Sequence, residues 1–179
     1  MMADSEILLV DNHLLAVNKP AGLVTQPSGA HADSLESRAK AWIKQEFAKA
    51  GKVFLEAVHR VDRPVSGVVL FARTSKALSR LNASQRARDC SKTYLAVVTG
   101  QPPNREARLE DTLVHDSHQA RVVATDHPRG KHAVLEYRML GVNDGRSLLQ
   151  IRLLTGRYHQ IRVQLAHVGL PVVGDLPYG

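Results

Sequence analysis

Two stretches of this chain carry residues whose types and spacing suit chemistry. The first is "HRVDRPVSG" (59–67), where one carboxylate, Asp62, lies between Arg60 and Arg63. Pro64 restricts the residue before it, and Gly67 permits a sharp backbone path into the apolar run "VVLFA". A carboxylate at such a strand entrance can be aimed by a rigid element. The second stretch is "LLTGRYHQIRVQLAHVGLPVVGDLPYG" (153–179), where Arg157, His159, Gln160 and Arg162 are expected in the first turn and a half of a helix. Cations and helix N-termini both suit anions, phosphate or carboxylate. Taken singly, each stretch also reads as something plainer: a surface turn with a solvated salt bridge, and a basic helix start.

Other chemistries find no support. There is no GxGxxG and no Walker loop, so no nucleotide cofactor is expected. His115 and His118, with His127 and His132 further on, fit no zinc spacing and have no cysteine partner, so no metal is expected. The single cysteine, Cys90, has no companion motif; it excludes an intramolecular disulfide framework and suits a reducing compartment.

The elements that must position these residues read as follows. "EILLV" (6–10) and "LLAVN" (14–18) are short strands around the turn signal "DNH". "KPAGLVTQPSGAHAD" is a loop. Ser34 caps a helix with Leu35, Ala39, Trp42, Ile43 and Phe47 on one face, ended by Gly51. "GVVLFAR" (67–73) is a buried strand. A second helix opens at Thr74 or Ser75, with Leu78 and Leu81 inward and Lys76, Arg80, Arg86 and Arg88 elsewhere on it. "KTYLAVVTG" (92–100) is a strand, and in the polar stretch 101–130 only "ARVVAT" suggests another. "HAVLEYRML" (132–140) and "RSLLQIRLLT" (146–155) form an antiparallel pair joined by "GVNDG", and a last helix covers about 158–168, closed by Gly169. Without strict βα alternation the fold class is α+β, a mixed and largely antiparallel sheet flanked by helices. No linker divides the 179 residues, so 1–179 is expected to be one domain.

The charge balance, 24 Lys+Arg against 17 Asp+Glu, gives +7 and favours a polyanionic partner, nucleic acid before anionic membrane. No stretch approaches the roughly 20 apolar residues of a membrane span. The N-terminus has neither a basic n-region nor a signal-like apolar run. A cytoplasmic protein is expected.

In order along nearly the whole chain, four motifs resemble the RluA-type RNA pseudouridine synthases. "NKPAGLVTQPS" is similar to that family's early loop and "HRVDRPVSGVVLFARTSKA" to its catalytic segment. "KTYLAVVTG" is similar to its following strand and "LLTGRYHQIRVQLAHVGLPVVGDLPYG" to its closing segment. The resemblance implies a pseudouridine synthase-like fold with a basic active-site cleft. It implies isomerisation of uridine to pseudouridine in ribosomal or transfer RNA, with no cofactor, no metal, no membrane and a monomeric enzyme. Asp62 matches the catalytic aspartate. Arg60 matches the arginine that fills the space left by the flipped base. Tyr94 matches the tyrosine that stacks on the uracil, and Arg162 the arginine that pairs with the carboxylate. Arg157 and His159 are expected to contact RNA. Lys19, Pro20 and Gly22 are expected to be architectural. Two departures flank the aspartate: Val61 stands where the family has Leu, and Val65 where it has Thr. With the first motif in place by residue 18, no S4-like domain is expected ahead of it, and the end at Gly179 suggests a short or truncated close. A non-catalytic RNA-binding protein of the same fold and a nucleic-acid glycosylase are the competing readings.

Overall fold

Strands β1 (Ile7–Val10) and β2 (Leu14–Lys19) form on either side of the Asp-Asn-His turn, as their apolar runs require. Asp11 closes that turn: its Oδ1 accepts from the backbone N–H of His13 at 2.7 Å and of Leu14 at 2.6 Å. The same two bonds hold its carboxyl below the usual range. This computed structural model describes residues 6–87 and 89–179; Arg88, expected on the second helix, lies outside the described residues. The chain gathers into two units, one ending at Asp89 and the other spanning Cys90–Gly179.

In the first unit β2 pairs antiparallel with β4 (Gly67–Ala72), and the two-residue β3 (Glu56–Ala57) completes the order β1-β2-β4-β3. Helix α1 (Leu35–Glu46) packs on this sheet through Leu35, Ala39 and Ile43, which join Leu15, Val17, Leu55, Val69 and Phe71 in a fully enclosed core. Its start is the expected Ser34, in a reciprocal box. Ser34 Oγ accepts from the Ser37 amide at 3.1 Å, and Ser37 Oγ accepts from the Ser34 amide at 3.0 Å. Its end is not at Gly51. The helix stops at Glu46 because Ala48 takes a left-handed conformation (φ 46°), and the amides of Ala48 and Lys49 turn back to the carbonyls of Gln45 and Lys44. Phe47 therefore leaves the inward face. It stands edge-on to Trp42 and beneath the Arg73 guanidinium, 44% exposed. Helix α2 (Ser75–Ala87) is capped by Thr74, whose Oγ1 accepts from the Ala77 amide at 3.1 Å.

The second unit is a five-stranded sheet in the order β5-β9-β8-β6-β7, built from β5 (Lys92–Thr99), β6 (Glu106–Asp116), β7 (Gln119–Val123), β8 (Lys131–Asn143) and β9 (Arg146–Leu153). Every strand pairing among the described residues, in both sheets, is antiparallel, in keeping with the α+β class. Strand β6 was not legible in the polar stretch 101–130. Its outward residues are charged and meet charged partners across the sheet, with Glu110 2.7 Å from His132 and Arg108 3.9 Å from Glu136, both on β8. β8 and β9 run closer together than "GVNDG" suggested. Only Asp144 and Gly145 turn, both at positive φ (47° and 69°), the two-residue hairpin that Asp-Gly favours. Helix α3 (Gln160–His167) covers the sheet, its Leu165 fully buried with Val98, Leu135, Leu149 and Ile151. Gly169 at φ 76° ends it, with the Leu170 amide donating back to Leu165.

Candidate active site

Asp62 opens a tight turn in which the Val65 amide donates to the Asp62 carbonyl at 3.0 Å. That turn is gripped through its main chain by the loop after β2. The Arg63 carbonyl accepts from the Gly22 amide at 2.8 Å, and Arg63 Nε donates back to the Gly22 carbonyl at 3.0 Å. Gly22 holds φ 88°, a conformation that side-chain-bearing residues seldom adopt. Thr25 is buried, and its hydroxyl donates to the Val61 carbonyl at 3.0 Å. Upstream, Leu70 of β4 donates its amide to His59 Nε2 at 3.2 Å and accepts from the Val58 amide at 2.9 Å. Gln85 of α2 donates to the Val58 carbonyl at 2.9 Å. The segment 58–65 is thus fixed by β4, α2 and residues 22–25 together.

Lys19 is the centre of this grip. It sits opposite Gly67 in the β2–β4 register and is wholly buried. Its Nζ donates to the carbonyls of Leu23 (2.7 Å), Pro20 (3.0 Å) and Arg63 (3.3 Å). Burial pushes its pKa down, and the negative charge of Asp62 pulls the other way. The cation that pairs with Asp62 was expected from the last helix; within the first unit, Lys19 already feels its charge. Asp62 is half-buried, whereas Arg60 and Arg63 are exposed.

Tyr94, Arg157, His159 and Arg162 belong to the second unit, and Asp62 and Arg60 to the first. Tyr94 lies on β5 opposite Ile151, half-buried and packed against the core beneath α3. The helix does not carry Arg157 and His159 as expected. His159 takes a left-handed conformation (φ 52°), so α3 begins at Gln160. The buried Gln160 side chain organises the approach, its Oε1 accepting from Thr155 Oγ1 at 2.9 Å and from the Arg157 amide at 3.0 Å. Gln164, also buried, anchors the helix to β6 and β8 by donating to Asp111 Oδ2 at 2.7 Å and to the Ala133 carbonyl at 3.3 Å.

Arg162 is gripped by the final turn. Its Nε donates to Asp175 Oδ2 at 2.6 Å and a second guanidinium nitrogen to Asp175 Oδ1 at 2.7 Å, a bidentate pair whose side chains are 15% and 6% exposed. The guanidinium also lies 4.9 Å from the centre of the Tyr178 ring. The Tyr178 hydroxyl accepts from the Ala120 amide at 2.7 Å and lies 2.8 Å from His159 Nδ1. Burial holds it above the usual phenol range, so it keeps its proton. Tyr178 therefore joins Arg162 to His159. Arg157 goes elsewhere: exposed, it donates through Nε to the His132 carbonyl of β8 at 2.9 Å. Tyr158 stacks between His115 (4.0 Å) and His159 (3.8 Å), measured between ring centres.

Three positioning residues had no role in the sequence reading, Thr25 for Asp62 and Asp175 and Tyr178 for Arg162 and His159, while Lys19 was expected only to be architectural. Their signals were present in "NKPAGLVT" and "GDLPYG", but a motif letter does not say which side chain bonds which backbone atom.

A family profile described as RNA pseudouridylate synthase matches residues 13–167. The chain is 38% identical over 162 residues to an uncharacterized RNA pseudouridine synthase of Chloroflexus aurantiacus, covering 90% of this chain and 51% of that protein. It is 34% identical to ribosomal large subunit pseudouridine synthase D of Pseudomonas aeruginosa, covering 97% of this chain and 53% of that one. It is also 34% identical to the dual-specificity RNA pseudouridine synthase RluA of Salmonella typhi, covering 96% and 76%. The chain thus spans about half the length of the first two relatives. In fold it is similar to human RNA pseudouridylate synthase domain containing 4, with a TM-score of 0.84 at 22% identity over 98% of this chain and 69% of that one.

Proposed function

The chain belongs to the RNA pseudouridylate synthase family, and from that membership we propose that it isomerises uridines to pseudouridine in structured RNA, ribosomal or transfer. The observation that carries the reading is the Asp62 turn, a half-buried carboxylate whose backbone is held from one side by Lys19, Gly22 and Thr25. A surface salt bridge would not need such a clasp, whereas a reacting group must be held within a fraction of an ångström.

The reaction breaks the bond from uracil N1 to the ribose and joins carbon 5 to the same sugar carbon. The hydrogen of carbon 5 leaves to solvent, and N1 gains one. Substrate and product are isomers, so the chemistry calls for no redox partner. A uracil inside folded RNA must first be extruded, at a cost of a few kcal/mol. Arg60, exposed two residues before Asp62, is assigned to the gap, and Tyr94 to the face of the extruded ring, where stacking contributes about 1–3 kcal/mol. Arg162 is assigned to keep Asp62 ionised, as a nearby guanidinium favours the charged carboxylate. Arg157 and His159 are assigned to RNA contacts. Asp62 acts as nucleophile on the sugar or ring, or as base on a sugar proton. A monomer working in the cytoplasm completes the proposal; no helix among the described residues is long and apolar enough to cross a membrane.

RNA tritiated at uracil carbon 5 tests this. The enzyme is expected to release tritium to water, and Asp62→Asn to bind the same RNA without release. Free tritiated uracil would identify a glycosylase, and binding with no release from the unaltered chain would identify a non-catalytic RNA-binding protein.

A further inference from the structure

Helix α2 takes no part in the chemistry proposed above, yet its surface is unusual. Its inward side is Ala77, Leu78, Leu81 and Gln85, buried or half-buried. Past its first residue, the exposed Ser75, its exposed arc is Lys76, Ser79, Arg80, Ala83, Arg86 and Ala87. At 100° per residue these six fall within a third of the helix circumference. The arc holds three cations separated only by Ser and Ala, and α2 contains no acidic residue. No ion pair among the described residues engages Lys76, Arg80 or Arg86.

Helix stability does not account for this pattern. Arg86, in the last turn, complements the helix dipole, but Lys76 stands in the first turn, where the dipole favours a negative charge. Nor does the arc suit a lipid surface: helices that lie in a membrane interface present Trp, Phe or Leu to the acyl chains, and here the large apolar residues point into the protein. Lys76 and Arg80 are about 6 Å apart along the axis and Arg86 about 9 Å further, a row that can follow a phosphate backbone. The helix is also tied to the catalytic turn. It follows β4 directly, and Gln85 on its inner face donates to the Val58 carbonyl, four residues before Asp62.

We propose that the exposed face of α2 is a sequence-independent docking ridge for the phosphate backbone of the RNA substrate, setting the distance from a flanking RNA segment to Asp62. This rests on the reading that RNA is the substrate. The ridge contributes affinity and register, not chemistry, because phosphate contacts position without reading sequence.

The test compares Lys76→Gln/Arg80→Gln/Arg86→Gln with a control that removes equal charge elsewhere on the same unit, Lys44→Gln/Lys49→Gln/Lys52→Gln, all three being exposed. The probe is an in vitro transcript of large-subunit ribosomal RNA tritiated at uracil carbon 5, with thermal melts checking that both variants fold. The α2 variant is expected to bind about 10- to 100-fold more weakly at low salt. Its slope of log affinity against log salt should fall by about 2, as losing three phosphate contacts requires. Its KM should rise with kcat unchanged, and the control should change little. Equal losses in both variants would overturn the assignment, since net charge would then be the cause. Unchanged RNA affinity with lost binding to phosphatidylserine vesicles would overturn it in favour of a membrane. If the unaltered chain binds the transcript but releases no tritium, the catalytic reading fails, and the affinity and salt arms still decide the ridge.

Discussion

Replacing Lys19 with methionine keeps an unbranched apolar stem, with sulfur in place of one methylene, and removes the ammonium, so it isolates the grip on the Asp62 turn. In the native protein Nζ donates to the carbonyls of Leu23, Pro20 and Arg63. The Arg63 carbonyl keeps the Gly22 amide as a donor at 2.8 Å, so the Pro20 and Leu23 carbonyls carry the loss. An unsatisfied buried carbonyl costs about 1–3 kcal/mol. Relief from burying the ammonium offsets part of this, leaving a net destabilisation of about 2–3 kcal/mol. Trp42 is the chain's single tryptophan and packs against the first unit's core, so its fluorescence follows the unit that holds Lys19. With a urea slope of about 1–3 kcal/mol per molar, the midpoint seen by Trp42 is expected to drop by about 1 M or more. kcat should fall too, since the loop that holds the turn loosens. A pH series adds a sign. Lys19 has a folded pKa below its unfolded value, so the unfolded chain binds more protons between the two. The native protein's advantage over Lys19→Met therefore widens as pH rises through the window just below 10.5. The other lysines, common to both proteins, cancel in the difference. An unchanged midpoint with an unchanged slope, or an advantage that shrinks through that window, would refute the argument.

Asp175→Asn leaves the Arg162 guanidinium without its bidentate carboxylate in a nearly closed setting, and breaking such a pair costs about 3–5 kcal/mol. A lower thermal midpoint by circular dichroism is expected, together with a kcat loss larger than any change in KM. Ser34→Ala removes the oxygen that receives the Ser37 amide and should cost about 1 kcal/mol. Equilibrium unfolding followed by Trp42 on the same helix measures that loss, and activity at low temperature should be unaffected.

Most of the fold was legible where one residue type decides the backbone. Ser34 at the start of α1, Gly169 at the end of α3 and the strand runs 14–19, 67–72 and 92–99 stand where side-chain size and polarity put them. The misses share a cause. α1 is stopped short by Ala48 and α3 is delayed by His159, two residues in the left-handed conformation that sequence rules reserve for Gly or Asn. β6 was hidden because its wet face is a cross-strand set of charges, which reads as loop until Arg108, Glu110, Glu136 and His132 are seen side by side. In the candidate site, Asp62, Tyr94 and Arg162 were legible as motif letters. Their local partners were not, because Lys19, Gly22 and Thr25 act on backbone atoms some forty residues away and leave no local spacing to read.

That choice of handle bears on how this segment can drift between relatives. The atoms seized at positions 61 and 63 are peptide carbonyls, which every amino acid possesses, and the bond closing the turn runs between the main chains of 62 and 65. None of these bonds uses the side chain of Val61 or Val65. The scaffold presents the same carboxylate whichever side chains flank it, so those neighbours are at liberty to vary while the aspartate stays put.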